Sequence, residues 1–178
     1  MSEAALAFLH EREVTKLARR FRAGRRRGLV ACVGADEGLR ARVEAALRER
    51  LGEGAVASAM VPVGCADPWG VLLAARKEVG QVVSARLEVG VGDAVLRALD
   101  VRRELLHGEE LALMLWVGLG EVERVASVAS NLWSYRSDVA WFFSRADIET
   151  SAGKVEDEGP LGLSLEEDLR RTEERLAS

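Results

Sequence analysis

The run Leu29-Val30-Ala31-Cys32-Val33, followed at once by Gly34, constrains this chain more than any other stretch. Five consecutive apolar residues leave no polar face, so a strand built from them has to be covered on both sides, as in the parallel sheets of α/β proteins. Behind the glycine, Asp36 stands where it can cap a helix. Leu39, Val43, Ala46, Leu47 and Leu51 then recur as one stripe until Gly52 and Gly54 end it. Strand, glycine turn and helix make a βα unit, and a buried parallel strand needs further units beside it.

The rest of the chain supplies them. Leu6, His10, Val14, Leu17 and Phe21 recur at helical spacing and predict an amphipathic helix from Ser2 to Ala23. Ala55 to Val63 reads as a second strand, Trp69 to Glu78 as a short helix, and Val82 to Val89 as a weaker strand with Val83, Ala85, Leu87 and Val89 on one face. Asp93 to His107 returns to helical spacing, and Leu111 to Val117 is the most apolar strand of all. After Gly118 and Gly120 a helix carries Val122, Val125, Ala126 and Ala129. Asn131 to Asp138 then reads as a loop and Val139 to Phe143 as the last strand. This alternation predicts an α/β fold with a mainly parallel sheet and helices on both faces.

With 178 residues, the chain has the length of one core. Residues 1–148 are expected to form the α/β domain, and residues 149–163, polar, acidic and glycine-containing, a linker. Residues 164–178 are expected to form an acidic helix opened by a Ser164/Glu167 capping box, with Leu165, Leu169 and Leu176 as its large apolar side chains. No apolar stretch approaches the ~18 residues of a membrane span and charges interrupt the first 25 residues, so the expected location is the cytoplasm. Cys32 and Cys65 lie in or beside apolar runs and read as buried thiols.

A strand, glycine loop and helix is where backbone N–H groups and a helix dipole cradle phosphate. Gly34-Ala35-Asp36-Glu37-Gly38 occupies that place, but Gly38-Leu39-Arg40 stands where a phosphate loop carries Gly-Lys-Ser/Thr. Asp36 and Glu37 would repel phosphate oxygens, so the loop reads as disabled and no cofactor is expected. Neither Gly34-x-x-x-Gly38 nor Gly90-Val91-Gly92 fits a dinucleotide fingerprint, and both read as turn glycines. The alternative is an atypical nucleotide site built from Gly34, Asp36, Gly38 and Arg40, with Arg40 in place of lysine and Asp36 or Glu88 holding magnesium.

Two histidines and two cysteines at distant positions give no zinc spacing, so no metal is expected. His10 reads as a satisfied, partly buried histidine and His107 as a residue of a helix end. Nothing pairs Ser134 or Ser137 with a base, so no catalytic residue is assigned. Residues 1–27 carry eight basic and three acidic side chains, with six arginines between Arg19 and Arg27. They read as an interaction arm or a solvated helix end facing the acidic tail, and nucleic-acid binding is a second alternative. Trp133, Tyr135 and Arg136 crowd one segment with the residue types that dominate interfaces, so they join Arg25, Arg26 and Arg27 as protein-binding candidates.

Leu99-Asp100-Val101-Arg102-Arg103-Glu104, Leu113-Met114-Leu115-Trp116-Val117 and Leu132-Trp133-Ser134-Tyr135-Arg136-Ser137 before Val139-Ala140-Trp141-Phe142 together resemble degenerate STAND-type P-loop ATPase domains of bacteria. The resemblance spans roughly residues 5–145. It implies a five-stranded P-loop NTPase-like sheet with Leu29–Val33 before the nucleotide loop, Leu111–Val117 as sensor strand and Val139–Phe143 as last strand. It further implies an inactive, non-enzymatic pseudo-ATPase module that binds a protein partner or its own copies in signalling or defence. The chain departs from the larger members of that family in having no repeats after the domain.

Overall fold

The computed structural model describes residues 3–23, 28–34, 36–79, 82–109 and 111–144. Strands β1 (Gly28–Val33), β2 (Val56–Val61), β3 (Val82–Leu87), β4 (Ala112–Val117) and β5 (Arg136–Trp141) form one sheet in the order β2-β3-β4-β1-β5. Every pairing in it is parallel. Helices α1 (Glu3–Arg22), α2 (Glu37–Leu51), α3 (Pro68–Val79), α4 (Asp93–Val101), α5 (Leu105–Gly108), α6 (Val122–Val128) and α7 (Ser130–Ser134) cover it.

Alternation along the central strands sorts the core into two layers. On β1 and β4, Leu29, Leu113, Leu115 and Val117 face one side, where they meet Trp69 and Leu72 of α3, Leu96 and Leu99 of α4, and Leu132 of α7. Val30, Cys32, Met114 and Trp116 face the other, against Leu17 and Phe21 of α1 and Val43 and Leu47 of α2. The uninterrupted apolar runs of these strands are thus the mark of burial on both faces.

The crossovers obey one hand. From β1 the chain passes through α2 to the far edge at β2, whereas β2 to β3, β3 to β4 and β4 to β5 all step the opposite way. Reversing direction while keeping a right-handed connection forces the helix onto the opposite face, which is why α2 lies apart from α3, α4 and α7.

Three segments depart from the sequence reading. Asn131–Asp138 is not a loop: α7 ends at Ser134 and β5 begins at Arg136. Asp93–His107 is two helices, α4 ending at Val101 and α5 opening at Leu105; Asp100, in the last turn of α4, accepts from Leu132 N (2.7 Å) and Asn131 Nδ2 (2.8 Å) of α7. Val89 is outside β3 and 94% exposed, at a turn that Gly90 makes with φ 89°. The Ser164–Leu176 helix and the linker lie outside the described residues.

His10 is half-buried, as its place on the apolar stripe implied, and its Nε2–H donates to the carbonyl of Phe143 (2.9 Å). Burial lowers its pKa; the bond to Phe143 opposes this and the Arg42 charge adds to it. A depressed imidazole pKa stabilises the fold above the unfolded value of about 6.5, and this contribution fades as pH falls below it. Melting from pH 7 to pH 5 should therefore lower Tm more in the native chain than in His10→Gln, whose amide still donates to Phe143; equal slopes would contradict this.

Candidate functional site

In an open parallel sheet, ligands sit beyond the carboxyl ends of two neighbouring strands whose connections leave in opposite directions. Here those strands are β1 and β4: α2 carries the chain one way, α6 the other. A crevice of about 220 Å³ lies there, lined among others by Gly34, Asp36, Arg40, Arg86, Glu88 and Arg124. Gly34, Asp36, Arg40 and Glu88, named for the alternative nucleotide site, are thus brought together. The volume falls below the range of about 300–1,000 Å³ usual for small-molecule pockets.

The side chains of the crevice are engaged with one another. Asp36 caps α2, its carboxylate accepting from Leu39 N (2.5 Å) while its carbonyl accepts from Arg40 N (3.0 Å). The helix end that would face an anion is occupied by its own carboxylate, and Glu37 adds a second charge in the first turn. Arg40, 14% exposed, lies between Glu37, which binds its Nη2 and Nε, and Glu44, which accepts from Nη1 (2.9 Å). Hydrogen bonds from Arg40 hold the Glu37 carboxyl below its usual range. Burial works against the Arg40 charge, but its bonds to Glu37 and the attraction of Glu44 outweigh it and raise the pKa. Arg86 gives Nη1 to Glu37 (2.6 Å), and Arg124 gives Nη1 to Glu121 (2.6 Å) and Nη2 to Asp93 (2.9 Å). Glu88 accepts from Val63 N (2.7 Å).

Gly34 is not a turn glycine. A Cβ on it would lie 2.0 Å from the carbonyl oxygen of Phe142, because β5 closes on β1 at this point through Phe142 N to Val33 O (2.8 Å). A Cβ on Gly38, in the first turn of α2, would meet Asp36 Oδ1 at 3.3 Å, a tight contact, and Arg42 Nη1 at 3.8 Å, an ordinary one.

Under the crevice lies a group that sequence reading overlooked. Glu44 is buried, and its two oxygens accept from Arg40, Arg48 Nη2 (3.4 Å), Ser58 Oγ (2.5 Å) and Ser84 Oγ (2.7 Å). Trp116 Nε1 donates to Ser84 Oγ (2.8 Å), so one carboxylate ties α2 to β2, β3 and β4. The i, i+4 series Arg40, Glu44, Arg48 was its visible signal. Among the described residues, no three His, Cys, Asp or Glu side chains are grouped to hold a metal. Both cysteines are free; Cys32 is buried, which pushes its thiol pKa up, and Cys65 is half-buried.

At the opposite, amino-terminal edge of the sheet, the Arg136 guanidinium stacks 4.8 Å from the Trp133 ring centre and donates to its carbonyl (2.8 Å). Trp133 is half-buried and also packs on the core. Tyr135, 37% exposed, has Arg103 over its ring (5.7 Å) and the His107 ring beside it (5.4 Å). Trp133, Tyr135 and Arg136 therefore form one surface, which Arg103 and His107 join. Ser134 and Ser137 are bound to backbone carbonyls of Asn131 and Leu29. Arg25, Arg26 and Arg27 lie outside the described residues; Arg20 and Arg22, of the same run, are bound to Ser137 and to the Arg50 carbonyl.

Comparison with protein-family models, curated proteins and solved structures gave no match. The fold and site define a doubly wound parallel α/β domain with an ion-paired crevice at its switch point. No helix among the described residues is long and apolar enough to cross a membrane.

Proposed function

We propose that this chain is a non-catalytic, P-loop ATPase-like interaction module. It binds a protein partner, or further copies of itself, in the cytoplasm as part of a bacterial signalling or defence system of the STAND type. The observation that supports this most is the state of Arg40: the cation at the place of the phosphate-loop lysine is held by Glu37 and Glu44 and shielded from solvent. Freeing it for phosphate would leave the buried Glu44 with Arg48, at 3.4 Å, as its charged partner and would break the bonds to Glu37 as well, an unfavourable exchange. The binding surface is the Trp133, Tyr135 and Arg136 group, stacked so that little side-chain freedom is lost on contact.

A second reading, nucleotide binding through the crevice, is favoured by its location at the switch point and by Asp36 and Glu88 in its lining. Thermal melting with ATP, GTP or ADP plus magnesium separates the two. A nucleotide at 100 times its Kd adds about 2.7 kcal/mol, or roughly 5–11 °C for a chain of this size. The module reading expects no shift with any of them; a shift that Asp36→Asn or Arg40→Ala abolishes would replace it by the second reading. Against a partner, Tyr135→Ala with Arg136→Ala, both exposed, should weaken binding at least tenfold with little change in Tm.

A further inference from the structure

The outer side of α1 carries a shallow trough of about 680 Å³ from Phe8 to Ala23 that no described element covers. Its floor includes Phe8, a large apolar side chain left 43% exposed. Arg12, Lys16, Arg19 and Arg20 line it, and its one lining carboxylate, Glu11, is already held by Arg50 and Thr15. Lys16 reaches Asp138 (2.8 Å) and Arg12 stands 3.8 Å from Glu13, whereas Arg19 makes no ion pair among the described residues. Five cations, Arg12, Lys16, Arg19, Arg20 and Arg50, thus face three carboxylates, Glu11, Glu13 and Asp138, leaving a local charge of +2.

The described chain leaves the fold against the same helix. Phe143 is bound to His10, two residues from Phe8 and so on the core-facing side of α1, and Ser144 is the last residue described. Residues 145–178 follow with ten acidic and five basic side chains, a charge of −5; residues 164–178 alone carry five and three, a charge of −2. As a helix, residues 164–176 would be about 20 Å long, against about 22 Å from Phe8 to Ala23. They would present Leu165, Leu169 and Leu176 on one side, flanked by Glu166 and Glu173 on one border and Asp168 on the other. The 19 residues between, 145–163, have a root-mean-square reach of about 24 Å, enough for either end of the trough.

We propose that residues 164–176 of this chain dock as a helix along the outer side of α1, with leucines on Phe8 and acidic side chains on Arg12, Lys16 and Arg19. The juxtaposition of exit point, trough and charge carries this independently of any partner. Tethering keeps the segment at an effective concentration near millimolar, so weak contacts suffice.

Hydrogen exchange of the full chain tests it. At about 0.05 M salt, amides 166–176 should exchange at least tenfold more slowly than a random coil, and protection should shrink toward 0.5 M. Arg12→Glu with Arg19→Glu should abolish it, and adding Glu166→Arg with Glu173→Arg should restore it, while β1 and β4 amides, as the folding control, stay unchanged. Random-coil exchange of the native tail, or protection indifferent to the reversed charges, would overturn the proposal. Protection that grows with protein concentration would overturn it too, and assign the trough to the tail of a second copy. None of these outcomes bears on the nucleotide titration, so the two readings stand or fall separately.

Discussion

Glu44→Ala is expected to lower the unfolding free energy by about 3–5 kcal/mol, the cost of removing one partner from a buried charged network. Arg40 would keep Glu37, but Arg48, Ser58 and Ser84 would each lose their acceptor on this carboxylate. Ser84 is fully buried and also receives the Trp116 N–H, so the loss propagates to the centre of the sheet. Glu44→Gln keeps the volume and one acceptor but turns an NH2 toward donors, so an intermediate loss is expected. Replacing the group together, Glu44→Met with Ser84→Ala and Trp116→Phe, should recover much of the stability because the fully buried Ser84 hydroxyl and the Trp116 N–H are then removed with their acceptor, while Ser58 is exposed and Arg48 still reaches it. Urea unfolding reads all three; a loss below about 1 kcal/mol for Glu44→Ala would show that water enters and satisfies the donors.

Gly34→Ala should destabilise the fold by about 3 kcal/mol or more, at the upper end of overpacking costs, because the obstacle is backbone rather than a side chain that can rotate. With the new Cβ 2.0 Å from the Phe142 oxygen, where real contacts stay above 3.0 Å, β5 has to retreat by more than an ångström. That retreat breaks the Phe142 N–H to Val33 bond and loosens Phe142 and Phe143, both buried. Gly120→Ala, whose Cβ would meet nothing within 4 Å, is the control and should stay within about 0.5 kcal/mol. If the two substitutions cost the same, Gly34 is a loop glycine after all and β5 does not close on β1 as described.

These two sites mark how legible the chain was. The β1–α2 unit and the Asp36 cap were readable because they depend on neighbours along the chain: five apolar residues, a glycine, a capping side chain. β5 was read three residues late because, as an edge strand, it opens with the exposed Arg136 and Ser137, and α7 before it is too short for a helical period to show. The docking of α4 on α7 was hidden because Asp100 meets Leu132 N across 32 residues. Glu44 was missed although its i, i+4 arginines were visible, since a charged residue beside an apolar stripe reads as solvated until its partners on β2 and β3 are placed.

Sequence alone established the class of fold, the buried central strands, and the absence of lysine and hydroxyl from the Gly38-Leu39-Arg40 turn behind the first strand. Only the tertiary structure decided that β1 and β4 are neighbours, that Gly34 serves the closure of β5, and that Arg40 is spent on Glu37 and Glu44. The physical reason is range. Burial patterns and caps act between residues a few positions apart, whereas strand order, steric closure and the pairing of a buried charge depend on groups that only the folded chain brings within a few ångströms.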